Sequence, residues 1–172
     1  SSIEDIVSAN RPLMQQFFAQ GTTTVEVKSG YGLTTKDELN ALEAIKILRE
    51  EFADRLTIVP TFMGAHAIPP EYKGRDDEYV TLVCDEMIPI VAKAGLATYC
   101  DVFCEKGYFS TEQTRRILQA AKDNGMETRI HADEFVDGGG AALAAAMGSH
   151  SADHLMAVSE DGMTAMAKAG VI

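Results

Sequence analysis

No run of basic residues occurs anywhere in this chain. Its 15 Lys and Arg are outnumbered by 26 Asp and Glu, for a net charge of −11. Nucleic-acid surfaces need clustered cations, so no nucleic-acid partner is expected. There is also no apolar stretch approaching the roughly twenty residues that a membrane-spanning helix requires, and no membrane partner is expected. The opening residues, Ser1-Ser2-Ile3-Glu4-Asp5, have neither the basic nor the apolar region of a secretory leader. Cysteine is scarce: only Cys84, Cys100 and Cys104. An odd count without a leader favours reduced thiols and a cytoplasmic location. Cys100 and Cys104, four apart on an expected strand, would stand about 13 Å apart at roughly 3.3 Å per residue, too far for a disulfide. They read as buried structural thiols. No linker, low-complexity run or charge block divides the chain, and 172 residues usually make one domain with a real core.

What is present is a regular alternation. Apolar periodicity predicts helices over 2–19, 36–53, 76–94, 111–123, 138–147 and 159–169, and strands over 23–28, 57–63, 99–104, 127–131 and 150–154, with another strand starting at Val171-Ile172. Thr35 with Glu38, and Ser110 with Gln113, have the spacing of capping boxes. Leu39, Leu42, Ile45, Leu48 and Phe52 form an amphipathic stripe for packing on a sheet. Glycines 21, 95, 125, 148 and 170 each stand just past a helical run, where a left-handed residue ends a helix. Short strands alternating with helices argue for βα units and a parallel sheet. Two architectures compete. A doubly wound sheet usually has a phosphate-binding turn after its first strand, but Lys28-Ser29-Gly30-Tyr31-Gly32-Leu33 lacks the full glycine spacing. The other is part of a (β/α)8 barrel of the TIM type, with five to six parallel strands.

In either sheet the carboxyl ends of the strands share one rim. The residues there are Lys28 to Tyr31, His66, Glu105, His131 with Glu134, and Asp153 with His154. Three imidazoles and a carboxylate on one rim point to metal-assisted hydrolysis. His131 suits a metal ligand, since neutral imidazole binds zinc or iron. Glu134, three residues on, suits proton transfer or orientation of a ring N–H. His154 suits a general base or an oxyanion donor, with Asp153 as its supporting partner. Asp133 reads as structural, and so does His150 at the other end of its strand. The loop over 64–75, with Pro69-Pro70 and Gly74, follows a strand end, where functional loops of such folds lie. Catalytic zinc usually has three protein ligands, yet no H-x-H or H-E-x-x-H pattern is present.

Five ordered stretches resemble the imidazolonepropionase family of the amidohydrolase superfamily. They are Thr24 to Leu33, Gly64-Ala65-His66-Ala67 with Pro69-Pro70-Glu71-Tyr72, Asp101 to Glu105, His131-Ala132-Asp133-Glu134, and Ser151 to Leu155. The resemblance implies a (β/α)8 barrel and metal-dependent ring hydrolysis of the small molecule 4-imidazolone-5-propanoate to N-formimidoyl-glutamate in histidine degradation. It implies that His131 is a ligand of zinc or iron, and that Glu134 and His154 handle protons and polarise the attacking water. Which of the two is the base stays open. Tyr31 and His66, with Glu134, would contact substrate. Lys28 is not assigned the role of a metal-bridging carboxylated lysine. The family's H-x-H pair, last-strand aspartate and propionate-clamping arginine have no counterpart here. Residues 1–172 are therefore expected to form one internal segment of the catalytic barrel, lacking its first strand and last two. Such a segment would be inactive alone and would pair its open edges in a homo-oligomer. The alternatives are another cyclic-amide or deaminase-type amidohydrolase, and a non-catalytic barrel fragment.

Overall fold

Five strands pair in chain order in a computed structural model that describes residues 1–172. They are β1 (Thr24–Lys28), β2 (Thr57–Ala65), β3 (Tyr99–Cys104), β4 (Glu127–Ala132) and β5 (Ser151–His154). The sheet runs β1-β2-β3-β4-β5, and every pair is parallel. A doubly wound sheet reverses its strand order where the chain begins its second half. This one never reverses, so it forms the arc of a half-barrel, and the doubly wound alternative is set aside. Val171-Ile172 form no full strand, but the Ile172 carbonyl accepts from the Ala152 N–H at 2.8 Å. The chain thus begins to pair along the free edge of β5.

Helices cover one face of the arc: α1 (Ile3–Ala19), α2 (Thr35–Glu51), α3 (Asp76–Leu82), α4 (Ile88–Lys93), α5 (Thr111–Asp123), α6 (Gly140–Met147) and α7 (Glu160–Ala169). Alternate strand residues point to them. Ile58, Phe62, Cys100, Val102, Cys104, Ile130, Ala132 and Ala152 join Leu42, Ile45, Leu48, Ile117, Leu118 and Leu143 in one apolar cluster. Period-two side chains explain why the other face differs. It carries Glu26, Lys28, Thr61, Asp101, Arg129, His131, Ser151 and Asp153, linked by hydrogen bonds and ion pairs.

Two expectations about helices change. The single helix over 76–94 is interrupted by a π-helical turn at Val83–Met87, directly before Pro89 in α4. Proline has no N–H for the carbonyl four residues back, and a widened turn absorbs the break. The capping box assigned to Thr35 and Glu38 does not form. Thr34 caps α2 by accepting the Asp37 N–H at 3.1 Å, and Glu38 turns inward. Ser110 and Gln113 do form theirs. All three cysteines are unpaired, and Cys100 and Cys104 are buried. No helix is long and apolar enough to cross a membrane.

Candidate active site

Asp101 anchors the site from the middle of β3. It is fully buried, and its carboxylate accepts from Lys28 Nζ at 2.6 Å and from His131 Nδ1 at 3.0 Å. Lys28 also reaches Asp153 at 3.0 Å and Glu26 at 3.3 Å. Burial opposes the charged form of Asp101, but His131 and then Lys28 outweigh it and hold the carboxyl below its ordinary value. Burial likewise pulls on Lys28, and the two aspartates outweigh that pull and raise its pKa. Both groups are therefore ionised at neutral pH. A carboxylate only accepts, so His131 Nδ1 carries the proton and Nε2 keeps its lone pair when the ring is neutral.

Strand β5 ends beside this cluster. The His154 ring lies 5.1 Å from the His131 ring, and its Nε2 is 3.5 Å from Glu134 Oε2. His154 and Leu155 both have left-handed backbones, with φ of 74° and 58°. Two consecutive non-glycine residues in that region store strain, which collects where a chain must aim a side chain. Contrary to the expectation from the sequence, Asp153 does not support His154. Successive residues of a strand face opposite ways, so Asp153 turns to Lys28 and lies 3.9 Å from His131, while Glu134 pairs with His154.

Glu105 sets the position of Glu134. The Glu105 carboxylate accepts the N–H groups of Glu134 at 2.9 Å and Phe135 at 3.0 Å. Burial works against its charge, yet the N–H groups of Phe135, Lys106 and Glu134 prevail and lower its pKa. Asp133 is structural, as expected. It is buried with φ of 51° and accepts from the N–H groups of Gly138, Gly140 and Ala141 around the start of α6. His150 packs on Tyr99 at the opposite strand end, 5.2 Å between ring centres.

Tyr31 and His66 meet on the β1–β2 side of the rim, with ring centres 4.9 Å apart. Phe103 joins the two halves, 6.1 Å from the His66 ring and 6.0 Å from the His131 ring. Tyr31 is 89% exposed at the mouth of a cavity of about 480 Å³ lined by Lys28, Ser29, Gly30 and Asn10. The five residues singled out from sequence therefore share one rim: His131, His154 and Glu134 in direct proximity, Tyr31 and His66 across Phe103. The organising roles of Lys28, Asp101, Glu105 and Asp153 are not apparent from the sequence. The available signal was a charge in an otherwise apolar strand, as in Tyr99-Cys100-Asp101-Val102-Phe103.

The donor set fits a metal in part. Ligand atoms of Asp101, His131 and Asp153 lie within 4.8 Å of one another. Lys28 already neutralises both aspartates, so the free ligand on this face is His131 Nε2. A histidine whose other nitrogen is held by a carboxylate has the usual arrangement of a metal-binding imidazole.

No protein-family model matches the chain. Among curated proteins it is 52% identical, over all 172 residues, to the imidazolonepropionase of Alkaliphilus metalliredigens. It is also 52% identical over 165 residues, 96% of its length, to that of Bacteroides thetaiotaomicron. It spans 40% of the length of each. Among solved structures it resembles the 5-methylcytosine deaminase of Klebsiella pneumoniae bound to 5-fluorocytosine, with a TM-score of 0.69 at 14% identity over 99% of this chain and 43% of that one. That likeness concerns the fold alone. Half of all positions along this chain are thus shared with proteins named imidazolonepropionase, of which it matches a segment.

Proposed function

We propose that the protein carrying this segment hydrolyses the ring of 4-imidazolone-5-propanoate to N-formimidoyl-glutamate, the reaction of histidine breakdown. The observation that carries the proposal is the pairing of His154 with Glu134 beside a carboxylate-held His131, in a chain half-identical to proteins of that name. His131 would hold zinc or iron through Nε2, and the rest of the barrel would supply the other ligands. When bound, the metal supplies a Lewis acid for opening an amide-like bond at neutral pH. Glu134 and His154 share the proton traffic: one takes the proton of the attacking water, and the pair returns a proton to the leaving ring nitrogen. The anchor of Glu105 keeps Glu134 within reach of that work. Tyr31 and His66 hold the planar ring, and Phe103 shields its apolar face.

Residues 1–172 act as one segment of the catalytic barrel and do not turn over substrate alone. The sheet edges at β1 and β5 favour association with a further copy, and light scattering should report a mass above that of one 18.6 kDa chain. The unpaired thiols fit a cytoplasmic setting.

The deciding experiment follows loss of the imidazolone with the full-length protein, wild type and Glu134→Gln. Turnover that falls at least about 100-fold in the variant supports the reading. Turnover of hydantoins or of a cytosine-type base, with none of the imidazolone, replaces it by another amidohydrolase activity.

A further inference from the structure

Glu38 is a fully buried carboxylate that the proposed chemistry does not use. It lies in the first turn of α2 with no exposed surface. Its partners are three backbone N–H groups: Gly30 at 2.9 Å, Gly32 at 2.8 Å and Leu33 at 2.9 Å. Taking a carboxylate out of water is costly unless its lone pairs are satisfied. Here the compensation comes entirely from one loop, the loop that presents Tyr31. The carboxylate therefore decides where that loop sits.

Gly30 passes the constraint on. Its φ is +114°, and a Cβ there would stand 2.9 Å from the Met63 carbonyl oxygen and 3.2 Å from His66 Cβ, so only glycine fits against β2. The Gly30 N–H is held by Glu38, and the Gly30 carbonyl lies 2.9 Å from His66 Nδ1. A carbonyl oxygen only accepts, so Nδ1 must donate. The neutral ring then presents a bare lone pair at Nε2. Isolated imidazole side chains favour the opposite tautomer, with the proton on Nε2, so the protein is imposing this choice.

We infer that Glu38 is a positioning residue which, through the backbone of Gly30, fixes His66 as a hydrogen-bond acceptor for an N–H of a planar cyclic amide. This rests on the reading of His66 as a substrate contact. The carboxylate touches no substrate; it sets the tautomer of a group that does. The arrangement selects ring substrates with an N–H at that position over N-alkylated rings, whose alkyl group offers no proton to Nε2.

The test uses the full-length protein labelled with 15N-histidine. Long-range 15N–1H correlation separates the two neutral tautomers, and the His66 signals are assigned by their loss in His66→Gln. Wild type should show the Nδ1–H form. Glu38→Gln keeps the shape but turns one oxygen into a donor facing a donor. It should give mixed tautomers and a KM raised about tenfold, roughly the worth of one neutral hydrogen bond, with kcat within about threefold. If Glu38→Gln does not fold, Glu38→Asp, one methylene shorter, carries the same comparison. An Nε2–H form in wild type overturns the inference. So does a folded Glu38 variant with wild-type tautomer and KM. The spectrum needs no turnover: the Nδ1–H form in wild type and its loss in the variant uphold the role of Glu38 even where imidazolone hydrolysis fails.

Discussion

Replacing Asp101 by Asn tests the electrostatic centre of the site without changing its shape. In the wild type the carboxylate is fully buried and accepts from Lys28 at 2.6 Å and His131 at 3.0 Å. Removing one partner of a buried ion pair costs about 3–5 kcal/mol when the other charge is stranded. Lys28 is not stranded, because Asp153 at 3.0 Å and Glu26 at 3.3 Å remain. The loss at pH 7 should then be about 2–3 kcal/mol, the scale of one or two hydrogen bonds to a charged group. Urea unfolding followed by circular dichroism measures it as a lower midpoint with an unchanged slope. The pH dependence gives a second, independent reading. The folded pKa of Asp101 is depressed, so its contribution is present above the unfolded value near 3.9 and is lost as pH falls through the folded pKa. Below about pH 4 the gap between wild type and Asp101→Asn should therefore close. Lys28, whose pKa is raised, contributes below its unfolded value and loses that contribution as pH rises through the folded one. A variant within about 0.5 kcal/mol of wild type at pH 7, or a gap that persists in acid, would refute the argument.

Asp133→Ala removes the acceptor of three N–H groups at α6 and puts alanine at φ of 51°. Urea unfolding should show a loss of about 2–4 kcal/mol, and Asp133→Asn, which tolerates that backbone, should lose less. Glu105→Gln loosens the peptide that carries Glu134, so steady-state kinetics of the full-length protein should show kcat down about 10–100-fold with little change in KM. An equal rise in KM would instead place Glu105 in ground-state binding. Tyr79→Phe leaves the Gly64 carbonyl without its 2.7 Å donor inside the core, and the unfolding midpoint should fall by the equivalent of about 1–2 kcal/mol.

The elements were legible from local signals. The α5 helix starts at Thr111, behind the capping box of Ser110 and Gln113, and stops after Asp123, as its capping pattern and apolar spacing indicate. Strand β3 occupies the expected residues, because a short apolar run between helices has few other conformations open to it. The Thr34–Thr35 pair was harder. Either threonine caps a helix, and the choice fell to Thr34 because Glu38 was needed under the loop at Gly30. Asp153 shows the same limit. Beside His154 in the chain it looks like that histidine's partner, but the pleat turns it toward Lys28.

Patterning along the chain dictated which residues end each strand, and so put His66, His131 and His154 on one rim. Periodicity and capping act over a few residues, and neighbours in the chain carry that information. The pairing of those groups belongs to the folded state. Lys28 meets Asp101 and Asp153 across 73 and 125 positions. No local rule joins charges so far apart. They meet only once parallel strands in unbroken order bring their inward faces around one hollow, where burial makes each unpaired charge too costly to leave alone.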